Sequence, residues 1–232
     1  QFDYVYATQV QKTASTASQQ PIQGIAMKNA DDKRYWVGVD LGATKMMAKL
    51  FDRDFAVKAS QRKKTKAQDG QDAGLDRMVE LVKEVLTEGG IKASDLGGIG
   101  IGAPGPLDLE KGVILCLPNI GWHDVPLKKR FESEFGCPVT VSNDVDAGTY
   151  GEYRFGAAKG ARCVVGIFPG TGIGGACVYE GRILTGKNRS AFEIGHVQVL
   201  PRGPICGCGR RGCLEAVASR LAVASAAAAA AS

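Results

Sequence analysis

One histidine and three cysteines, His196, Cys206, Cys208 and Cys213, crowd into 18 positions of a 232-residue chain that holds only two histidines. No other feature narrows the possible folds as much. Soft sulfur and nitrogen donors at this density supply the S₃N set of a closed tetrahedral zinc site. Gly207, Gly209 and Gly212 lie between the cysteines, and glycines there let the backbone fold tightly enough for three thiolates to converge. The bland alternative, three unrelated thiols and a surface histidine, requires coincidence. Four protein ligands leave no open position for water, so the site is structural rather than catalytic. The other cysteines (Cys116, Cys137, Cys163 and Cys177) stand singly in apolar, strand-like text, where a free thiol acts as a small core residue. An odd total of seven without a secretory context points to metal before disulfides.

Glycine contributes 31 of the 232 residues, roughly twice the usual share of about 7%. These glycines gather in short loops, so the chain must turn sharply, or approach something closely, at several places. The hydrophobic share of 44% and charged share of 23% are ordinary for a globular chain. A length of 232 residues suits two lobes around a cleft. A formal charge of +5 is mild, and the short runs Arg62-Lys63-Lys64 and Lys128-Lys129-Arg130 read as solvated faces. This balance argues against a nucleic-acid partner. The longest apolar run, the alanine tail, falls short of the ~20 residues that a membrane span needs. No charged start followed by an apolar core opens the chain, and a cytoplasmic location is the default expectation.

Residues 1–34 are rich in Gln, Ser, Thr and Ala without a sustained period, and read as a disordered preface or a remnant of cloning. Order begins with an apolar run at 35–40, a glycine turn, a second strand at 45–51 and a third at 55–62, which together suggest a meander. Leu75, Met78, Val79, Val82, Val85 and Leu86 share one helical face, and Gly89-Gly90 ends that helix. A buried strand at 99–101 leads into Gly102-Ala103-Pro104-Gly105-Pro106. A helix at 128–135 is stopped by Gly136. The strand 139–141 delivers Ser142-Asn143-Asp144 to its end, and a helical stretch follows near 145–156. A second strand, glycine turn and strand unit spans 164–179. From Gly212 the text reads as helix, and ten of the last seventeen residues are alanine, the strongest helix former. No cap closes that helix, so the expectation is a fragment of a longer protein.

Three of these segments carry chemistry. In Asp40-Leu41-Gly42-Ala43-Thr44-Lys45 a strand-end carboxylate can hold hydrated Mg²⁺, while turn amides approach phosphate oxygens. A plain hairpin with a surface aspartate explains the same residues about as well. Gly170-Thr171-Gly172-Ile173-Gly174-Gly175 satisfies the dinucleotide pattern G-x-G-x-x-G, but that fingerprint requires a helix next. The residues that follow, Ala176-Cys177-Val178-Tyr179, read as a strand, which favours a hairpin pressed against a second phosphate group. Asp144 stands where a carboxylate can take a proton from a substrate hydroxyl. On position alone, a helix cap at Asn143-Asp144 is the better account.

Taken together and in order, these motifs resemble the ROK family of sugar kinases and sugar-responsive repressors, and most of all its glucokinases. The resemblance runs from about residue 35 to the C-terminus. It covers the loop at 40–45, Gly102-Ala103-Pro104-Gly105, Asn143-Asp144, the loop at 170–175, Glu193-Ile194-Gly195-His196 and Cys206-x-Cys208 through Cys213-Leu214-Glu215. It implies an α/β fold of the actin-like, ribonuclease-H-like type, with two lobes of which the second is incomplete. The lobes would divide at 35–142 and 143–232.

The same resemblance implies residue roles. Asp144 would be the base that deprotonates the sugar 6-hydroxyl. Gly105, Asn143, Glu193, His196 and Glu215 would hydrogen-bond a hexose. Gly42, Thr44, Lys45, Thr171 and Gly172 would contact ATP, and Asp40 would help hold Mg²⁺. His196 would serve twice, with one ring nitrogen on zinc and the other toward the sugar. The family usually has Glu before Asn-Asp, where this chain has Ser142. Phosphorylation of glucose and a dimeric or tetrameric assembly are the expectations. The alternative within the family, a sugar-responsive repressor, needs a DNA-binding helix-turn-helix ahead of residue 35, and residues 1–34 show no helical period for one.

Overall fold

The structure is a computed structural model in which residues 35–117, 120–186 and 191–231 are described. The expectation for residues 1–34 lies outside the described residues. The chain separates into two units at the Asp144–Val145 bond, and each has its own sheet.

The first unit is built on five strands. β1 (Tyr35–Leu41), β2 (Lys45–Phe51) and β3 (Val57–Lys64) form the expected antiparallel meander. Helix α1 (Gln71–Gly89) then crosses back, and β4 (Leu96–Ala103) pairs parallel to β1. A second crossover through helix α2 (Leu127–Phe135) brings β8 (Val139–Asn143) parallel to β4. The order is therefore β3-β2-β1-β4-β8. Between β4 and α2 the chain makes a small antiparallel sheet of β5 (Leu107–Asp108), β6 (Val113–Leu117) and β7 (Trp122–Val125). The sequence reading has no counterpart for this sheet.

One continuous core explains why these elements hold together. It combines Val37, Val39 and Leu41 of β1, Ala48 and Leu50 of β2, Ile99 and Ile101 of β4 and Val139 and Val141 of β8 with the apolar faces of α1 and α2. The central strands, buried on both faces, read as near-continuous apolar runs, as parallel strands covered by helices must. Helix α1 ends at Gly90 and α2 at Gly136, both left-handed with φ of 66° and 62°, which matches the glycine stops in the sequence. Gly74 inside α1 has another cause. The indole of fully buried Trp122 from β7 lies where its Cβ would be, so only glycine lets the small sheet seat on the helix.

The second unit starts in α3 (Asp144–Phe155), whose first residue is the last of the first unit. Its sheet has three antiparallel strands, β9 (Cys163–Pro169), β10 (Ile173–Tyr179) and β11 (Arg182–Ile183), in the order β11-β10-β9. A loop region carries residues 191–213 to two short helices, α4 (Leu214–Ala218) and α5 (Arg220–Ala230). The expected single helix from Gly212 is thus broken. Ser219 stands between the two in an extended conformation, and its hydroxyl accepts a hydrogen bond from the Ala222 N–H at 3.1 Å. The alanine propensity is overridden at one residue because a serine cap competes with helix continuation. Among the described residues no helix is long and apolar enough to cross a membrane.

Candidate active site and metal centre

In the first unit, three parallel strands deliver candidate residues to one edge of the sheet. Asp40 near the end of β1 is in register with Gly102 of β4, and Gly102 and Ala103 are in register with Ser142 and Asn143 of β8. The carboxyl ends of β1, β4 and β8 therefore bring Asp40, the Gly105 loop and Asn143-Asp144 together. This is where open α/β sheets bind ligands. A Cβ placed on Gly105 would lie 3.9 Å from the Asn143 side-chain amide, so those two are neighbours. Asp144 is half-buried as the first residue of α3.

The turn between β1 and β2 is tightly held. The Gly42 N–H donates to the Lys45 carbonyl at 2.9 Å, and that carbonyl also occupies the space a Cβ on Gly42 would need. The Thr65 hydroxyl donates to the Gly42 carbonyl at 2.7 Å, and the Thr65 N–H donates to the Thr44 carbonyl at 3.0 Å. Thr65 is fully buried. Sequence reasoning passed it over, since a threonine just past a strand carries no pattern of its own. Thr44 and Lys45 stay exposed beside it.

In the second unit the corresponding turn, Gly170-Thr171-Gly172, joins β9 to β10. The Gly170 N–H donates to the Gly172 carbonyl at 2.7 Å. A strand follows the glycine loop, which is the reading that excluded a dinucleotide fold. The Glu215 carboxylate of α4 covers Gly172 at the position where a Cβ would stand. It also accepts the Ile173 N–H at 3.0 Å. Arg220 at the start of α5 donates its backbone N–H to the Gly170 carbonyl at 3.0 Å and reaches the Thr171 hydroxyl with its guanidinium at 3.4 Å. Arg220 is a residue the sequence reading missed.

The candidate metal centre lies in the same unit. The ligand atoms of His196, Cys206, Cys208 and Cys213 all fall within 4.8 Å of one another. His196 Nδ1 is 3.5 Å from Cys206 Sγ, and Cys208 Sγ is 3.6 Å from Cys213 Sγ. Local backbone chemistry produces this convergence. The Cys206 N–H donates to the Arg210 carbonyl and the Gly209 N–H to the Cys206 carbonyl, and Gly209 and Gly212 take left-handed φ values of 85° and 68°. Gly207 has neither a left-handed φ nor any neighbour within 4 Å of a Cβ placed on it, so two of the three glycines carry the fold of the loop. Glu193 precedes the 3-10 turn Ile194–His196 that presents the histidine, and the His196 N–H donates to the Glu193 carbonyl at 3.0 Å.

The thiols are set apart by their surroundings. Hydrogen bonds from the Arg210 backbone and then its guanidinium hold exposed Cys208 down at about 6. Burial first, and hydrogen bonding to Cys208 second, push Cys213 up to about 11. Three sulfurs and one imidazole nitrogen within one small sphere fit the donor preferences of Zn²⁺.

Residues 36–231 match the ROK family. The glucokinase of Thermotoga maritima is 39% identical over 188 residues, 81% of this chain and 58% of its own length. Among solved structures, the ROK hexokinase of Thermus thermophilus superposes with a TM-score of 0.74 at 38% identity, covering 84% of this chain and 64% of that one. A ROK glucokinase from Streptomyces griseus, in complex with glucose and AMPPNP, gives 0.69 at 36% identity, with 82% and 58% covered. Xylose repressors also match, at 29 to 32% identity. The chain spans somewhat more than half the length of the curated glucokinases it matches. The mixed α/β architecture, the ordered glycine loops and the Cys/His knot agree with a match over nearly all described residues, and the chain belongs to the ROK family.

Proposed function

We propose that this chain is the greater part of an ATP-dependent hexose kinase whose preferred substrate is glucose, converted to glucose 6-phosphate. The observation that carries this reading is the gathering of Asp40, Gly105, Asn143 and Asp144 at the carboxyl ends of β1, β4 and β8, in a chain 36% identical to a glucokinase solved with glucose and AMPPNP. In this reading residues 35–142 and 143–232 are the two lobes, and 1–34 precede them.

The reaction is displacement at the γ-phosphorus. Asp144 accepts the proton of the sugar 6-hydroxyl as that oxygen forms its bond to phosphorus, and the bond from phosphorus to the β–γ bridging oxygen breaks to release ADP. In this reading the backbone at Gly42 and Gly172, the Thr44 and Thr171 hydroxyls and the Lys45 ammonium contact the phosphates, with the first turn held by the bond from the Gly42 N–H to the Lys45 carbonyl. Asp40 is placed to hold Mg²⁺, which neutralises charge on the phosphoryl oxygens. Gly105, Asn143, Glu193, His196 and Glu215 orient the hexose. His196, Cys206, Cys208 and Cys213 would hold a structural zinc, which would fix the imidazole ring and its tautomer. A cytoplasmic homo-oligomer belongs to the same reading. Xylose-repressor relatives favour sugar sensing as the second reading, but the retained Asp144 and both glycine turns favour catalysis.

The test is Asp144→Asn in the complete protein, followed by coupled ADP release with a panel of hexoses. Loss of a positioned general base predicts a fall in kcat of roughly 10²–10⁴-fold, with hexose affinity within a few-fold of wild type. Turnover near the wild-type level would remove Asp144 from the chemistry. ADP release with no hexose in the panel, while glucose still binds, would favour the sensor.

A further inference from the structure

The corner between α4 and α5 touches both the Cys/His knot and the second glycine turn; the function proposed above gives Glu215 a hexose contact but leaves its bond to the turn, and Arg220, without a role. Cys213, a metal-ligand candidate, caps α4, and the N–H of the next residue, Leu214, donates to the Val197 carbonyl one residue beyond His196 at 2.9 Å. The knot therefore fixes where α4 begins. Two residues past Cys213, the half-buried Glu215 carboxylate accepts the Ile173 N–H at 3.0 Å and lies over Gly172, 42 residues away in the chain. Its other oxygen is 3.8 Å from Cys206 Sγ. Ser219 is buried and holds the start of α5 through its hydroxyl. Arg220 then bonds the Gly170 carbonyl and the Thr171 hydroxyl.

We propose that Glu215 and Arg220 are positioning residues for the turn Gly170-Thr171-Gly172-Ile173, and that metal on the knot governs through them how the turn presents its amides to a nucleotide's phosphates. This rests on the kinase reading for the identity of the ligand, while the coupling of knot to turn does not. Chemically, the Glu215 carboxylate orients one amide dipole, and Gly172 is the residue that leaves room for it. An alanine at 172 would collide with that carboxylate. Arg220 adds a positive charge beside Thr171, at an exposed position where a phosphate can reach it. With the thiolates on metal, Cys206 has no proton to share, and the coupling runs through the backbone from Cys213 to Glu215.

The experiment compares wild type, Glu215→Ala, Glu215→Gln and Arg220→Ala in the complete protein, each with its metal and after chelation. AMPPNP affinity is measured without sugar, glucose affinity without nucleotide, and hydrogen exchange at the Ile173 amide in every form. Loss of one charge-assisted hydrogen bond predicts that Glu215→Ala weakens AMPPNP about tenfold. Arg220→Ala should weaken AMPPNP by a comparable factor with glucose unchanged. Chelation should weaken wild type as Glu215→Ala does, with little further loss when the two are combined. Glu215→Gln keeps a carbonyl acceptor and should restore protection of Ile173, at one metal per chain throughout. AMPPNP affinity within twofold of wild type in both alanine variants, or Ile173 exchange that ignores the metal, would overturn the proposal. Failure of wild type to bind AMPPNP would sink the kinase reading instead, and the Ile173 exchange would still decide the coupling.

Discussion

The two glycine turns share glycine and threonine at the tip and are held in different ways. Both join antiparallel strands, β1 to β2 and β9 to β10. The first is fixed by its own neighbourhood, with Thr65 from the end of the same meander bonding Gly42 and Thr44, over a core running through all five strands of its sheet. The second receives its support from Glu215 and Arg220, more than forty residues away. Its sheet has three strands, and Val165 and Ile167 on β9 stay about half exposed at 49% and 52%. One turn inherits its order from a hydrophobic core. The other, under the coupling proposed above, depends on the loop that carries the Cys/His cluster. Within the described residues the second turn takes its side-chain support from the segment that follows the Cys/His cluster.

The sharpest way to break that contrast is to remove the metal. Structural zinc contributes on the order of 10 kcal/mol of folding free energy in small metal-dependent units, so chelation or Cys213→Ser is expected to release residues 163–186 and 191–213 into rapid hydrogen exchange. β1, β4 and β8 should keep their protection, because none of their buried side chains depends on the knot. Mass-resolved exchange of the two variants against wild type reads this directly. Equal loss in both units, or no loss in either, would mean that the metal is not what distinguishes them.

The converse perturbation belongs in the core. Phe131 is fully buried on α2, with its ring 5.8 Å from that of Phe135. Phe131→Ala removes a large apolar side chain and leaves a cavity, which costs about 3–5 kcal/mol. The expected result is a lower denaturant midpoint for the first unit with metal content unchanged. If metal is lost in proportion, the two units fold as one and the contrast sharpened here disappears.

The same contrast explains what the sequence disclosed. The first unit was legible almost element by element: the meander, the apolar face of α1, and α2 stopped at Gly136 all follow from local periodicity and stop signals. The small sheet β5-β6-β7 escaped, because Leu107-Asp108 is a two-residue strand and Trp122 finds its place only against Gly74, far back in the chain. In the second unit the Cys/His cluster was legible because three thiols and one imidazole crowd into 18 positions, and the structure brings their donor atoms within 4.8 Å of one another. The break at Ser219 and the part played by Arg220 were not. Both answer to a turn near residue 171, and no local pattern encodes a partner at that distance. Asp40 and Asn143-Asp144 were legible as strand-end polar residues, yet their common edge follows from the parallel register of β1, β4 and β8, which one sequence does not display.

The smallest effect expected is electrostatic, and it tests whether helix packing in the first unit owes anything to charge. Lys83 on α1 is 2.8 Å from Glu134 on α2, and Arg130 bridges Glu134 to Asp76 of α1 at 3.2 Å. The Lys83 hydrogen bond first, and that of Arg130 second, hold the Glu134 carboxyl below its ordinary 4.5. A carboxyl depressed in the folded state stabilises fully above its unfolded value and loses that contribution as pH falls through its folded value. Lys83, raised by the same contact, loses its share only above its ordinary 10.5. Between those limits the network should be insensitive to pH. All these groups are solvent-facing, so the effect is small and screened by salt. Acid also protonates the candidate metal-ligating thiols and imidazole of the second unit, so the comparison needs Glu134→Gln, which removes the carboxyl and leaves the knot intact. Denaturant midpoints of wild type and variant, followed through a first-unit probe such as Trp122 fluorescence, should separate slightly above the ordinary carboxyl value of 4.5 and converge as pH falls through the depressed folded value of Glu134. Parallel curves across the whole range would show that α1 and α2 are held by Phe131, Leu127 and their apolar neighbours alone.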